Sequence, residues 1–91
     1  MDYDTAKTRA LIELAKLEKE SGYALSLSNP ENVIEANRAW LFFYNATEFL
    51  VNGDRSARLA GNGPIVVMKS DGVTSHYGTA LSVKEILAML N

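Results

Sequence analysis

His76 is the only histidine of the chain, and acid–base chemistry near neutral pH would depend on it first. With Asp54 or Asp71 and one of the serines, it could supply the members of a hydrolytic triad. The sequence lacks the turn pattern that exposes a nucleophilic serine between a strand and a helix. A lone histidine in a predicted strand is more typical of a surface or edge position. The residues therefore favour a non-catalytic role for His76.

A second candidate for chemistry is the glycine-rich stretch "RLAGNGPIVV", residues 58–67. A phosphate-binding loop needs backbone N–H groups that converge at the start of a helix. Here Gly61 and Gly63 lead through Pro64 into an apolar run typical of a strand, and Pro64 has no N–H to offer. We therefore interpret Gly61, Gly63 and Pro64 as a hinge that turns the chain into a strand.

Composition excludes several further classes of function. The chain has 91 residues, which suits one small domain, and contains no cysteine and one histidine, so no metal-ligand spacing is present and we expect no metal or cofactor. A net charge of -2 gives no basic surface for nucleic acid. Charges throughout residues 1–20 and the lack of a long apolar run predict neither a signal peptide nor a membrane span, so we expect a cytoplasmic protein.

Two residue groups are candidates for binding another protein. "GDRSAR" brings Asp54, Arg55 and Arg58 together, either as a capped turn with solvated arginines or as a polar contact patch. "AWLFFYN" alternates Trp40, Phe42 and Tyr44 along one face of a predicted strand. These rings either pack beneath a helix or, on an open sheet face, form an aromatic anchor for a partner.

The elements that must position these residues follow from the hydrophobic periods. Residues 4 to about 20 have a helical period and end at Gly22, and a second helix begins at Ser82, with Glu85 at capping-box spacing. Asp71 and Gly72 predict a hairpin turn. Period-two patterns predict strands at residues 24–28, 39–45, 65–69 and 73–77.

The predicted fold class is therefore α+β. We expect an N-terminal helix, a four-stranded antiparallel sheet in a simple meander, and a C-terminal helix, with both helices on one face of the sheet. The strand at residues 39–45 is apolar on both faces, so it belongs in the middle of the sheet or lies between a helix and another partner.

Several motifs in the second half of the chain resemble the immunity protein 35 family, which includes the YrhB-like small proteins. The resemblance covers about residues 40–90. It is carried by the aromatic run Trp40 to Tyr44, the step from Phe49 to Asp54, "LAGNGP" from Leu59 to Pro64, the Asp71–Gly72 hairpin, and "GTA" from Gly78 to Ala80.

The resemblance implies a single immunity-type domain over residues 1–91 that is bacterial and not an enzyme. Such a protein is expected to bind and neutralise a cognate toxin encoded nearby, in a one-to-one complex. It carries over no catalytic residues, so Trp40, Phe42, Tyr44, Asp54, Arg55 and Arg58 remain our own candidates for the contact. YrhB-like proteins also imply an alternative, a small chaperone, and an unprotected sheet edge offers a route to a homodimer. A small-molecule binder or a hydrolase around His76 is the third alternative.

Overall fold

The computed structural model describes residues 1–59, 63–77 and 81–91. It contains three α-helices, six short strands and two single 3₁₀ turns. The helices are α1 Tyr3–Ser21, α2 Thr47–Asn52 and α3 Val83–Leu90, and the 3₁₀ turns are Pro30–Asn32 and Arg55–Ala57. The strands are β1 Leu25–Leu27, β2 Ile34–Glu35, β3 Ala39–Phe42, β4 Tyr44–Ala46, β5 Ile65–Met68 and β6 Thr74–His76.

Helix α1 begins earlier than its sequence pattern predicts. The carboxylate of Asp2 accepts the backbone N–H of Thr5 at 2.8 Å, so Asp2 rather than Asp4 caps the helix. At the other end Gly22 adopts the left-handed conformation, with φ of 78°, and its N–H donates to the Glu18 carbonyl. The buried stripe of α1 has the helical period seen in the sequence; it consists of Ala6, Ala10, Leu14 and Leu17.

The aromatic segment at residues 39–45 does not form one strand, so that prediction is wrong. Residues up to Phe42 pair with β2 and β5, and at Phe43 the chain leaves this sheet. The carbonyl of Phe43 accepts the N–H of Ser28 at 2.8 Å, and β4 then pairs with β1. The result is a four-stranded antiparallel sheet in the order β2-β3-β5-β6 and a separate two-stranded sheet, β1-β4. The predicted meander of four strands is thus interrupted, because the strand at Leu25–Leu27 lies in the second sheet.

The two long helices cover opposite faces of the four-stranded sheet, which corrects the expectation that both lie on one face. Phe42, Ile65 and Val67 pack against α1, while Leu41 and Val66 pack with Ile86 of α3. Because side chains alternate along a strand, β3 and β5 are apolar on both faces and each face needs its own cover. The α+β class is confirmed, in a layered form with the sheet between α1 and α3.

Hydrogen bonds hold the chain on both sides of β5. Asp71 and Gly72 lie in the connection from β5 to β6, where Gly72 has φ of 73° and the Asp71 carboxylate accepts the N–H of Val73 at 3.0 Å. Before β5, Pro64 is buried and its carbonyl accepts the N–H of Tyr77. Gly63 lies among the described residues, whereas the hinge predicted at Gly61 lies outside them.

Candidate protein-binding surface

The predicted aromatic set is divided between two environments. Phe42 is 1% exposed and lies beneath α1, where the ring of Tyr3 is 5.9 Å from both Phe42 and Trp40. Trp40 is half-buried, and its indole N–H donates to the Met1 carbonyl at 3.2 Å while Lys69 lies over the ring. Trp40 and Phe42 therefore have the core-packing arrangement, the first of the two alternatives drawn from the sequence. Tyr44, which is also half-buried, lies instead beside an open depression.

Tyr44 lines an apolar depression at the end of α1. The depression has a volume of about 300 Å³ and is walled mainly by aliphatic and aromatic side chains. Burial in this wall raises the pKa of the Tyr44 phenol. The lining residues are Leu17, Glu20, Ser21, Tyr23, Leu25, Tyr44 and Leu59.

A second depression adjoins the first, since Tyr23 and Leu59 line both. It has a volume of about 280 Å³ and lies between the start of α2 and the 3₁₀ turn. We call the region formed by β1, β4, α2 and residues 55–59 the two-stranded end. The second depression is lined by Tyr23, Ala24, Ala46, Glu48, Ser56, Ala57, Arg58 and Leu59.

The side chain of Asn45 connects two segments of this region by hydrogen bonds, although the sequence alone did not point to Asn45. Its side-chain Oδ1 accepts the N–H of Leu59 at 2.7 Å and of Ala46 at 2.8 Å, and its Nδ2 donates to the Leu59 carbonyl. The side-chain amide of Asn45 thus holds the backbone of Leu59 beside β4, in the position that a neighbouring strand would otherwise occupy. The signal in the sequence is an asparagine inside a strand, where this residue is depleted.

Asp54, Arg55 and Arg58 lie on the outside of the two-stranded end. Asp54 caps the 3₁₀ turn, and hydrogen bonds from the hydroxyl and backbone N–H of Ser56 lower the pKa of the Asp54 carboxyl. The guanidinium of Arg58 lies 5.7 Å from the centre of the Phe49 ring. Among the described residues, neither arginine has a carboxylate within ion-pair distance. The capped turn exists, and both arginine charges remain available to a partner.

Large apolar side chains are exposed at the same end. Tyr23 is 62% exposed and Val51 is 70% exposed, with Leu50 beside it on α2. Single exposed apolar residues are ordinary, but here they accompany two apolar depressions and two arginines that have no ion-pair partner among the described residues. This combination of an apolar centre and a polar edge is typical of protein-binding surfaces.

His76 is not arranged for hydrolysis in the part of the chain that the structure describes. Its Nδ1 lies 3.5 Å from Oε1 of Glu13, a partner that sequence reasoning missed, and Oε2 of Glu13 accepts the hydroxyl of Thr74. Asp71 and Asp54 are engaged in their own turns. The Ser75 side chain points to the opposite face of β6, as alternation requires.

Within residues 1–59, 63–77 and 81–91, no group of three or more histidines and carboxylates is gathered in a way that could hold a metal ion. No helix in the same ranges has the length and apolarity needed to cross a membrane.

Comparison with known proteins gives a family match. The model of a family described as immunity protein 35 matches residues 4–85. Uncharacterized protein YrhB of Escherichia coli (strain K12) is 43% identical over 51 residues, which are 56% of this chain and 54% of that protein. The aligned part thus spans about half the length of this curated relative. No solved structure matches the chain.

Proposed function

Because the chain belongs to the immunity protein 35 family, we propose that it binds a cognate bacterial toxin and neutralises it in a one-to-one complex. Immunity proteins are in general non-enzymatic, so binding alone has to inhibit the toxin. We expect the complex to form in the bacterial cytoplasm, with a toxin whose reading frame lies beside that of the protein.

We assign the toxin contact to the two-stranded end. The observation that carries this assignment is the pair of adjoining apolar depressions that share Tyr23 and Leu59. Aromatic residues and arginines contribute most to binding free energy when they lie at the centre of an interface. Tyr23 is exposed at the centre of this region, and Arg55 and Arg58 lie on its polar side.

The charges suggest how the toxin would be recognised. The unpaired guanidinium groups of Arg55 and Arg58 fit carboxylates on the toxin, since arginine forms paired hydrogen bonds with a carboxylate. Apolar side chains of the toxin would fill the depressions. A specific interface buries roughly 1,200–2,000 Å² in total, so it would extend beyond the depressions over α2. A protein bound over the toxin's active site, or over a toxin loop that has to move, is sufficient for inhibition.

Co-expression tests the proposal directly. The neighbouring reading frame is expressed with and without this chain, and growth is followed together with the mass of the purified complex. We expect growth arrest without the chain, rescue with it, and a complex of one copy of each protein. A harmless neighbour, or rescue without a stable complex, would contradict the proposal. A complex with two copies of each protein would instead indicate a dimer of one-to-one pairs, for which an unprotected sheet edge is the candidate contact.

Charge reversal tests the assigned surface. Arg55→Glu should raise the Kd for the toxin about tenfold or more, because it sets a carboxylate against the acidic groups that we expect there. Lys84→Glu on α3 makes the same change of charge at another exposed position and should leave the Kd within about twofold. Equal effects of the two variants would show that only net charge matters and that the two-stranded end is not the contact.

A chaperone function is the second candidate, and the exposed side chains of Tyr23, Leu50 and Val51 are the observation that favours it. A holdase would suppress the aggregation of unrelated unfolded proteins. Its activity should fall on replacing Tyr23 and Val51 with serine and should not respond to Arg55→Glu. Dependence on Arg55 distinguishes toxin binding from general chaperone activity.

A further inference from the structure

The sheet edges of this protein differ in how they are protected. In the two-stranded sheet, the outward N–H of Leu25 donates to the Glu18 carboxylate at 2.9 Å, and that of Ala46 donates to Asn45. In the four-stranded sheet, β2 is only two residues long and its Glu35 is paired with Lys69. Short and charged edges of this kind resist pairing with another chain. The remaining edge, β6, is three residues long, and none of its side chains is a lysine, an arginine, a carboxylate or a proline.

The register of the β5–β6 pair shows which groups of β6 point outward. The N–H of Met68 donates to the carbonyl of Val73, and the N–H of Tyr77 donates to the carbonyl of Pro64. In an antiparallel pair the hydrogen-bonded positions alternate, so Val73, Ser75 and Tyr77 bond to β5. The backbone N–H and C=O groups of Thr74 and His76 therefore face away from the sheet. Among the described residues, no backbone or side-chain group bonds to them.

Apolar side chains lie directly beside this edge. Ile12 of α1 is 53% exposed and Val73 is 57% exposed, and both line one depression of about 330 Å³. A strand added to β6 would place alternate side chains on the α1 side of the sheet, where this depression lies. The depression is lined by Arg9, Ile12, Lys16, Asp71, Gly72, Val73 and Thr74.

The charges beside the edge indicate which strand would fit. Neither Arg9 nor Lys16 has an ion-pair partner among the described residues, whereas Glu13 between them is engaged by Thr74 and His76. Asp71, which lines the depression, accepts the N–H of Val73. Two cations thus flank an apolar centre at Ile12.

Spacing makes the expected partner more specific. An Arg9 atom lies close to the site of Gly72 and Glu13 contacts Thr74 and His76, so α1 runs along β6 in the same direction. Arg9 and Lys16 are seven positions apart on the helix, which is a rise of about 10 Å. In a strand, positions i and i+4 lie on one face and are about 13 Å apart. We propose that the free edge of β6 binds an extended segment of a second protein as an added strand, with acidic residues at i and i+4 and an aliphatic residue at i+2.

A second copy of the chain fits this edge less well. A symmetric dimer would bring the same surface against itself, so Arg9 and Lys16 would meet the Arg9 and Lys16 of the other copy. This contact would gather four cations on one surface, where Glu13 already contacts Thr74 and His76 within its own chain. An acidic strand from a different protein compensates these charges. The proposal does not depend on what the two-stranded end binds.

The test uses the whole protein labelled with ¹⁵N and a blocked nine-residue peptide of alternating valine and threonine. The peptide carries two aspartates, placed four residues apart with a valine midway. Titration should shift the amide signals of residues 72–77 and of Ile12. A matched peptide with lysines in place of the aspartates should bind about tenfold more weakly. Equal binding of the two peptides, or shifts confined to other residues, would overturn the proposal.

Substitutions at Thr74 separate the backbone edge from the side chain. Thr74→Pro removes an outward N–H and should abolish peptide binding, while the bonds between β6 and β5 remain. Thr74→Val is the control, because it loses the hydroxyl bond to Glu13 but keeps the N–H, and it should still bind. If Thr74→Pro does not fold, the double variant Arg9→Glu and Lys16→Glu decides the question, since with both cations replaced by carboxylates it should reverse the preference between the two peptides. Self-association that Thr74→Pro removes would identify a second copy as the occupant and would overturn the proposal.

Discussion

In the four-stranded sheet, α1 and α3 cover both faces, and all side chains of β3 and β5 except the half-buried Trp40 and Met68 are buried. In the two-stranded end, α2 is only six residues long and has no fully buried residue, and the depressions around Tyr23 remain open. The aromatic segment at residues 39–45 runs through both regions. Its first part stabilises the fold, whereas Tyr44 lines the surface that we assign to binding. Residues adjacent in sequence therefore serve different purposes on the two sides of Phe43.

The two regions are also held together by different forces. The sheet depends on apolar packing, with Phe42, Ile65 and Val67 each no more than 1% exposed. The two-stranded end buries less, chiefly Leu25 and Ala46, and adds side-chain hydrogen bonds of Asn45 to Leu59 and of Asp54 to Ser56. Hydrogen bonds contribute less net free energy than the burial of a large side chain. Substitutions should therefore affect stability most in the sheet and binding most in the two-stranded end.

The largest expected effect is on stability in the sheet. Phe42→Ala should lower the free energy of unfolding by about 3–5 kcal/mol, because it leaves a cavity beneath α1. Urea unfolding followed by circular dichroism measures this change. Val51→Ala, at a side chain 70% exposed in the two-stranded end, is the control and should stay within about 0.5 kcal/mol of the original protein. If both variants lost a similar free energy of unfolding, the sheet would not be more important for stability than the two-stranded end.

A smaller loss is expected at Asn45. Asn45→Ala should cost about 1–3 kcal/mol, because the N–H and C=O of Leu59 lose their partners in a partly buried place. Released from β4, Leu59 would no longer wall the depressions, so toxin binding should weaken even where the protein is still folded. The control is Asn52→Ala, whose exposed amide bonds only to Glu48. If the folded Asn45→Ala variant bound the toxin with an unchanged Kd, the depressions would not be part of the toxin contact.

The smallest effect concerns the capping carboxylates of the two regions. The pKa of Asp2, which caps α1, and that of Asp54 are both lowered by hydrogen bonds to the carboxylate. A lowered pKa in the folded state stabilises the protein above the unfolded value of about 3.9, and this contribution is lost as the pH falls through the lower, folded value. Asp54→Asn still caps the turn but does not titrate there. It should therefore lose slightly less stability than the original protein on acidification from pH 6 to pH 2.

A similar difference for Asp2→Asn would show that both caps act alike. Thermal unfolding at intervals of half a pH unit is sufficient to measure it. A steeper loss of stability in either asparagine variant would contradict the assigned hydrogen bonds.

Local signals in the sequence predicted α1 and the turn between β5 and β6. The apolar stripe of α1, the stop at Gly22 and the turn at Asp71–Gly72 each depend on neighbouring residues, so period and turn chemistry were sufficient. The break at Phe43 could not be predicted, because it depends on a bond to Ser28 fifteen residues away. The placement of α3 opposite α1 depends likewise on how the whole chain packs.

The candidate surface was less predictable for the same reason. Arg55 and Arg58 were recognised as a group because they are close in sequence, whereas Tyr23, Asn45 and Leu59 meet only in the fold. The pairing of His76 with Glu13 joins two elements at opposite ends of the chain. A single sequence contains no local pattern for such contacts.

The most direct test of the central claim is amide hydrogen exchange of this protein, free and in complex with the toxin. Binding at the two-stranded end predicts slower exchange in residues 23–27 and 44–59 of the complex, with α3 unchanged. Slower exchange confined to α3, or to the solvent face of α1 around Leu11, would contradict it. In that case the open depressions around Tyr23 and Leu59 would not be the surface that binds the toxin.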